Sequence, residues 1–277
     1  MTLRRALVGS ALVGSALVGC GGRGGERPPA NVLAHHAESW CPDGFETGPQ
    51  DTCFALPETH DAKTPILVYL HGMYQGRGGA EEWSAVRDAT KRGFAVVMPR
   101  GKRGLCAWTA ELKDHFCWPT EVDDPHAFES IVAEWDRVLW QVDSLLDGGD
   151  GHKRYVLGFS NGAFFAEYLA ARGLFSARGY AILHGGALVP PEKTENAAPI
   201  FLLGAEGDEH QGPKMRDLHG ALTKAAWPHA WCTRPGGYGL LASDVDAALR
   251  FFRRDADGTL KPRGGGFACE GAVKPGR

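Results

Sequence analysis

The chain is 277 residues long, 43 % hydrophobic and 23 % charged, ordinary globular proportions that exclude a fibrous or disordered polymer. Thirty basic against 33 acidic side chains give a formal charge of −3, so no excess of positive charge is available to grip nucleic-acid phosphates. The 38 Gly and 17 Pro predict many tight turns, and the 7 Cys, an odd number, require one to differ from the rest.

The first segment does not read as part of a fold. Met1 to Arg5 is a short basic stretch, and Ala6 to Gly19 is an apolar run too short to span a bilayer. A pentapeptide repeats within it, starting at Ala6, Ala11 and Ala16, as a low-complexity signal core. Leu17-Val18-Gly19-Cys20 resembles a bacterial lipobox, in which the Cys is lipidated and becomes the first mature residue. This implies a signal peptide over 1–19, a lipid anchor on Cys20, and a Gly- and Pro-rich tether over 20–38. The expected location is the cell envelope, in the periplasm or at the outer membrane, the latter because Gly21 is not the Asp linked to inner-membrane retention.

With Cys20 set aside, Cys41, Cys53, Cys106, Cys117, Cys232 and Cys269 remain. An even set in an oxidising compartment predicts three disulfides, and sequence proximity favours 41–53, 106–117 and 232–269 among 15 connectivities. No CxxC or HExxH occurs, and His35-His36 lies in the tether, so no metal site is expected.

From 39 to 277 the chain reads as one domain of alternating strands and helices. Strands are expected at Ile66–Leu70, Phe94–Met98, Tyr155–Gly158, Tyr180–Leu183, Ile200–Leu203 and His229–Thr233. Helices are expected at Glu81–Lys91, Ala127–Leu146, Gly162–Ala171, Pro213–Ala225 and Ser243–Arg253. That order predicts βαβ units and a mostly parallel sheet covered on both faces, with an antiparallel hairpin before Pro65.

Gly158-Phe159-Ser160-Asn161-Gly162 is a GxSxG. In so Gly-rich a chain the pattern alone is only a hypothesis. Its setting strengthens it, because an apolar strand runs straight into it and a helix runs out. A strained strand-to-helix turn lifts the Ser hydroxyl above the sheet, and the following helix N-terminus favours developing negative charge.

On these residues the chain resembles the α/β-hydrolase fold family, and within it secreted esterases of the polyhydroxybutyrate depolymerase and feruloyl esterase type. The resemblance runs from about Thr52 to Arg253. It implies Ser160 as nucleophile and an oxyanion hole from the backbone N–H groups of Asn161 and of Met73, which follows Leu70-His71-Gly72. It places the acid after the strand Ile200–Leu203, at Asp208, with Glu206 as second choice. It expects a His after the last strand, where this chain reads Gly236-Gly237-Tyr238. Tyr238 therefore stands where a triad needs imidazole. A phenol near pKa 10 stays protonated at neutral pH and is a poor acceptor for the Ser proton.

His210, two residues past Asp208, is the first substitute base to consider, whereas His219 should lie on a helix and His229 at the far end of its strand. Tyr74, Trp108 and Trp118 are candidate pocket aromatics, the latter two on a loop pinned by the expected 106–117 bridge. Arg77, Arg100, Lys102 and Arg103 are cations that can meet an anionic substrate or simply be solvated. The resulting expectation is a serine hydrolase of small or polymeric carboxylic esters, weakened by Tyr238 and needing no cofactor. The alternative is a catalytically silent member of the fold that binds a ligand or partner at the cell surface.

Overall fold

The computed structural model describes residues 40–76, 79–106, 110–148, 153–191, 197–253 and 267–270. The expected signal, the lipidation site Cys20, the tether, Arg77 and the pocket candidate Trp108 lie outside the described residues.

The chain opens with strands β1 (Glu46–Gly48) and β2 (Thr52–Ala55), an antiparallel hairpin at one sheet edge, where the run before Pro65 predicts one. Then follow β3 (Ile66–Leu70), helix α1 (Ala80–Lys91) and β4 (Ala95–Met98). A two-stranded ribbon of β5 (Lys102–Arg103) and β6 (Phe116–Cys117) closes the next loop. Helices α2 (Pro125–Ala133) and α3 (Asp136–Leu145) lead to β7 (Arg154–Phe159), α4 (Asn161–Arg172) and β8 (Tyr180–Leu183). The series ends with β9 (Ile200–Ala205), α5 (Gly212–Lys224), β10 (His229–Arg234), α6 (Ala242–Phe252) and β11 (Ala268–Glu270).

These strands form one sheet in the order β1-β2-β4-β3-β7-β8-β9-β10-β11. The run from β4 to β10 is parallel, and the hairpin and β11 add antiparallel edges. Alternation along β3 explains why both faces must be covered. Ile66, Val68 and Leu70 enter the core under α2 to α5, whereas Leu67 and Tyr69 enter the opposite core under α1 and α6. All five side chains are fully buried. Among the described residues no helix is long and apolar enough to cross a membrane.

Two expectations need correction. The single helix expected over Ala127–Leu146 is two, broken at Glu134-Trp135. There the Trp135 amide bonds the Val132 carbonyl, a tighter three-residue step, and the indole turns into the core against Trp118 and Phe165. The apolar period survives the break, which is why the sequence conceals it. Strand β11 was not expected: three exposed residues carry no alternation to read. It is held to β10 by the Cys232–Cys269 disulfide, whose two residues are also register partners. The other bridges join Cys41 to Cys53 and Cys106 to Cys117, so all three pairings are those favoured by proximity.

Candidate active site

Strand β7 ends in the sheet's centre, and the chain reverses at Ser160 with φ 54° and ψ −118° before α4 begins. A non-Gly residue there is strained, and such strain persists only where its surroundings enforce it. The enforcement is visible. The Ser160 amide donates to the Leu183 carbonyl (2.9 Å), and the Ser160 carbonyl accepts from the Ala163 and Phe164 amides (2.9 and 3.2 Å). The two glycines of the motif are dictated by close approach. A Cβ on Gly158 would collide with the Gly162 carbonyl, and one on Gly162 with the Leu70 carbonyl.

Leu70 ends the neighbouring strand β3, and Gly72 just beyond it sits against the Ser160 side chain. Met73 follows. Among the described residues neither the Met73 amide nor the Asn161 amide donates to a protein acceptor, as oxyanion donors require. The Gly72 amide, in contrast, is taken by Glu82 Oε1 (3.1 Å), which also accepts from the Tyr69 hydroxyl. Burial raises the Glu82 carboxyl above its usual range, partly offset by these two hydrogen bonds. Ser160, Asn161 and Met73 line a cavity of about 300 Å³ together with Phe164, Leu188 and Lys214.

Asn161 has a second task. Its side-chain oxygen accepts from the Trp118 amide (2.7 Å) and its side-chain nitrogen donates to the Trp118 carbonyl (3.2 Å). The residue after Ser160 thus braces the disulfide-bonded loop. His71 lies behind it, fully buried. Its Nδ1 donates to the Gly72 carbonyl and its Nε2 accepts from the Gly101 amide (2.9 Å). Desolvation pushes His71 down to about 3, so the ring is neutral in the whole physiological range and serves as a fixed peg.

Of the two candidate acids, Glu206 is exposed, whereas Asp208 is buried after β9. Its Oδ1 accepts from the His210 and Gln211 amides (3.2 and 2.9 Å). Its Oδ2 is buried without a hydrogen-bond partner. At position 238 the structure places the phenol on the Ser160 hydroxyl: Tyr238 Oη donates to Ser160 Oγ. Partial burial raises the Tyr238 hydroxyl above its ordinary value. The Ser160 bond offsets this, and the Glu82 and Asp208 carboxylates add to the rise.

The loop bearing Tyr238 is clamped from below. Arg234 donates to the carbonyls of Pro235, Gly237 and Gly239 and, through Nε, to both Asp244 oxygens. Both charged groups are buried, which is tolerable because they pair with each other and the guanidinium meets backbone acceptors.

Several expectations are revised by this geometry. His210 contributes its backbone only: its ring is exposed and makes no hydrogen bond to Ser160 or Asp208, so it is not a substitute base. His219 and His229 bond each other at the opposite end of β10. Trp118 and Tyr74 are not pocket residues. Trp118 is fully buried on Phe165 and His71, its indole N–H donating to the His71 carbonyl (2.9 Å). Tyr74 is buried among Trp40, Trp83 and Phe116. Arg100 pairs with Asp51 and Lys102 with Glu134, and Arg103 lies over Phe116, so none of the three faces the cavity.

Sequence reasoning missed His184. It follows β8 at φ 53°, fully buried, with Nδ1 3.7 Å from Asp208 Oδ2 and Nε2 3.5 Å from Asp244 Oδ2. Its ring meets that of Tyr238 edge-on. A His beside Gly185-Gly186 at the end of a parallel strand was the available signal. Glu82 gave none, because a lone carboxylate on an amphipathic helix reads as solvated.

No protein-family model matches the chain. A bifunctional acetylxylan esterase/xylanase of Neocallimastix patriciarum is 23 % identical over 156 residues, 55 % of this chain. The match spans only about a fifth (20 %) of that protein's length. Among solved structures, a carboxylesterase of Mesorhizobium loti is similar with a TM-score of 0.56 and 18 % identity, over 77 % of this chain and 100 % of its own. The Bacillus cereus carboxylesterase reaches 0.53 at 18 % identity, over 73 % of this chain and 93 % of its own. Esterase PE8 reaches 0.53 at 18 % identity, over 73 % and 95 %.

Proposed function

Taking its α/β-hydrolase fold as the premise, we propose that this chain is a serine hydrolase of carboxylic esters, slowed by the phenol at its base position. One observation carries the reading. Ser160 is held in a strained turn beside two unpaired amides, Met73 and Asn161, at the mouth of a cavity. In the step envisaged, Ser160 Oγ bonds to the ester carbonyl carbon, the carbonyl oxygen takes the negative charge, and the two amides donate to it. The Ser160 proton passes to solvent, the collapsing intermediate breaks its bond to the alkoxide, which takes up a proton from solvent and leaves as the alcohol, and water then cleaves the acyl-serine.

The proton of Ser160 is where the site is weak. A neutral phenol that donates to Oγ cannot also accept from it. Asp208, which would orient a His at position 238, reaches no nitrogen there. Oxyanion stabilisation without a competent base still leaves roughly 10³–10⁴-fold catalysis over water in a serine protease stripped of its triad. Slow turnover with intact covalent chemistry is therefore the expected behaviour.

A fluorophosphonate probe tests the reading directly. Labelling of the wild type that disappears in Ser160→Ala supports it. Equal labelling of both, or none of either, removes it. The Tyr238–Ser160 contact favours one second reading, a hydrolase-fold binding module whose nucleophile is capped, for which absence of labelling is the expected result. The envelope location belongs to the same proposal. It rests on the Leu17–Cys20 sequence and on three disulfides of the kind an oxidising compartment permits, and metabolic labelling with palmitate tests it.

A further inference from the structure

The cavity beside Ser160 is not uniformly apolar. Met73, Phe164 and Leu188 supply hydrophobic surface, and Lys214 supplies a cation. No acidic side chain is among its lining residues. Lys214 makes no ion pair among the described residues. Its ammonium lies 5.3 Å from the centre of the Phe164 ring, which holds it along the cavity wall. Its place in the sequence is unfavourable for the helix. Lys214 is the third residue of α5, whose first turn contains no acidic side chain, so a positive charge sits at the positive end of the helix dipole. Gln211 precedes that helix and also lines the cavity, and its Oε1 is buried without a partner. The first turn of α4 opens into the same space through Ser160 and Asn161.

We infer that this cavity takes an acyl group ending in a carboxylate, with the anion on Lys214 and the carbon chain along Met73, Phe164 and Leu188. The inference rests on the proposed ester chemistry for its placing of the reacting carbonyl at Ser160. The recognition itself is a property of the cavity. An anion there meets an unpaired ammonium and the N-terminal ends of two helices, all of which repel a cation. A volume of about 300 Å³ suits a half-ester of a short dicarboxylic acid and lies at the small end of ligand pockets. Of the other cations suggested by the sequence, those among the described residues, Arg100, Lys102 and Arg103, are engaged elsewhere, which leaves Lys214 as the described cation at this cavity.

Binding to the full-length Ser160→Ala protein tests the inference without requiring turnover. Ligand-observed NMR would compare the monomethyl esters of succinate, glutarate and adipate with their dimethyl counterparts. At least one half-ester should bind about fivefold more tightly than its neutral partner, the size expected of a solvent-facing ion pair. That ratio should fall to about one in Ser160→Ala/Lys214→Met, drop below one with Lys214→Glu, and shrink in ~0.5 M salt. Equal binding of half-esters and diesters in Ser160→Ala overturns the inference, as does a preference that survives Lys214→Met. The two proposals fail separately. An unlabelled wild type with a Lys214-dependent preference sinks the hydrolase and keeps the anion site, and a labelled protein without the preference does the reverse.

Discussion

Tyr238→His replaces the one group at the nucleophile whose chemistry does not suit proton removal. In the wild type, Ser160 Oγ faces a phenol already raised above its ordinary value of 10.0, so no acceptor is available near pH 7. An imidazole has an unperturbed pKa of about 6.5 and accepts a proton at that pH. A positioned general base contributes about 10²–10⁴-fold. Its proposed orienting acid, Asp208, has Oδ2 buried without a hydrogen-bond partner, while Oδ1 remains on the His210 and Gln211 amides. His184, 3.7 Å from the same Oδ2, competes for it and argues for the lower part of the range. We therefore expect p-nitrophenyl acetate turnover at pH 7.5 to rise between about tenfold and about a hundredfold. The rate should also acquire an ascending limb near pH 6.5 that the wild type lacks. Adding Asp208→Asn should remove most of the gain. A Tyr238→His protein with unchanged thermal midpoint, unchanged rate and no new limb would refute the assignment of position 238.

Three other changes probe the frame around the site. Gly162→Ala forces a Cβ onto the Leu70 carbonyl, and should destabilise by about 3 kcal/mol or more in urea unfolding, beyond ordinary overpacking. Glu167 is 1 % exposed, and desolvation raises its carboxyl to about 7, against which the Leu188 and Val189 amides and Arg172 pull it down. The native state therefore holds an extra proton between the unfolded value of 4.5 and about 7, and its stability falls as pH rises through that window and levels above it. Glu167→Gln abolishes that slope, so the variant should gain on the wild type by about 3 kcal/mol between pH 5 and pH 8, read from denaturation midpoints. Replacing Cys232 and Cys269 by Ala opens a 37-residue loop and should cost about 4 kcal/mol, against about 3 kcal/mol for the 12-residue loop of Cys41 and Cys53.

The parallel strands were legible because each is a short apolar run stopped by a turn residue, and strand Tyr180–Leu183 matches to the residue. The turn at Ser160 was legible because glycines at 158 and 162 answer steric demands that no other residue meets. Position 238 was read from the resemblance to a family that carries Gly-Gly-His there, and the phenol does reach the Ser160 hydroxyl. What escaped was set by tertiary packing. Tryptophan at 118 reads equally well as pocket wall or core, and only the stacking on Phe165 decides. His184 and Asp208 lie 24 residues apart, just past the ends of separate strands, so their meeting is invisible until the sheet is assembled. Lys214 was not singled out, because nothing in its neighbours along the chain announces a cavity.

The pair of hydrogen bonds between the Asn161 side-chain amide and the Trp118 backbone ties one wall of the cavity to the loop behind it. Behind Asn161, a disulfide and a buried indole are linked to the residue next to Ser160, so a substitution among them disturbs the turn at Ser160 along with the shape. On the α5 and Leu188 side, side chains enter from elements that share no such tie to residue 161. Attempts to retune ligand choice by directed evolution therefore have room at positions 188, 211 and 214, and very little at 116 to 118.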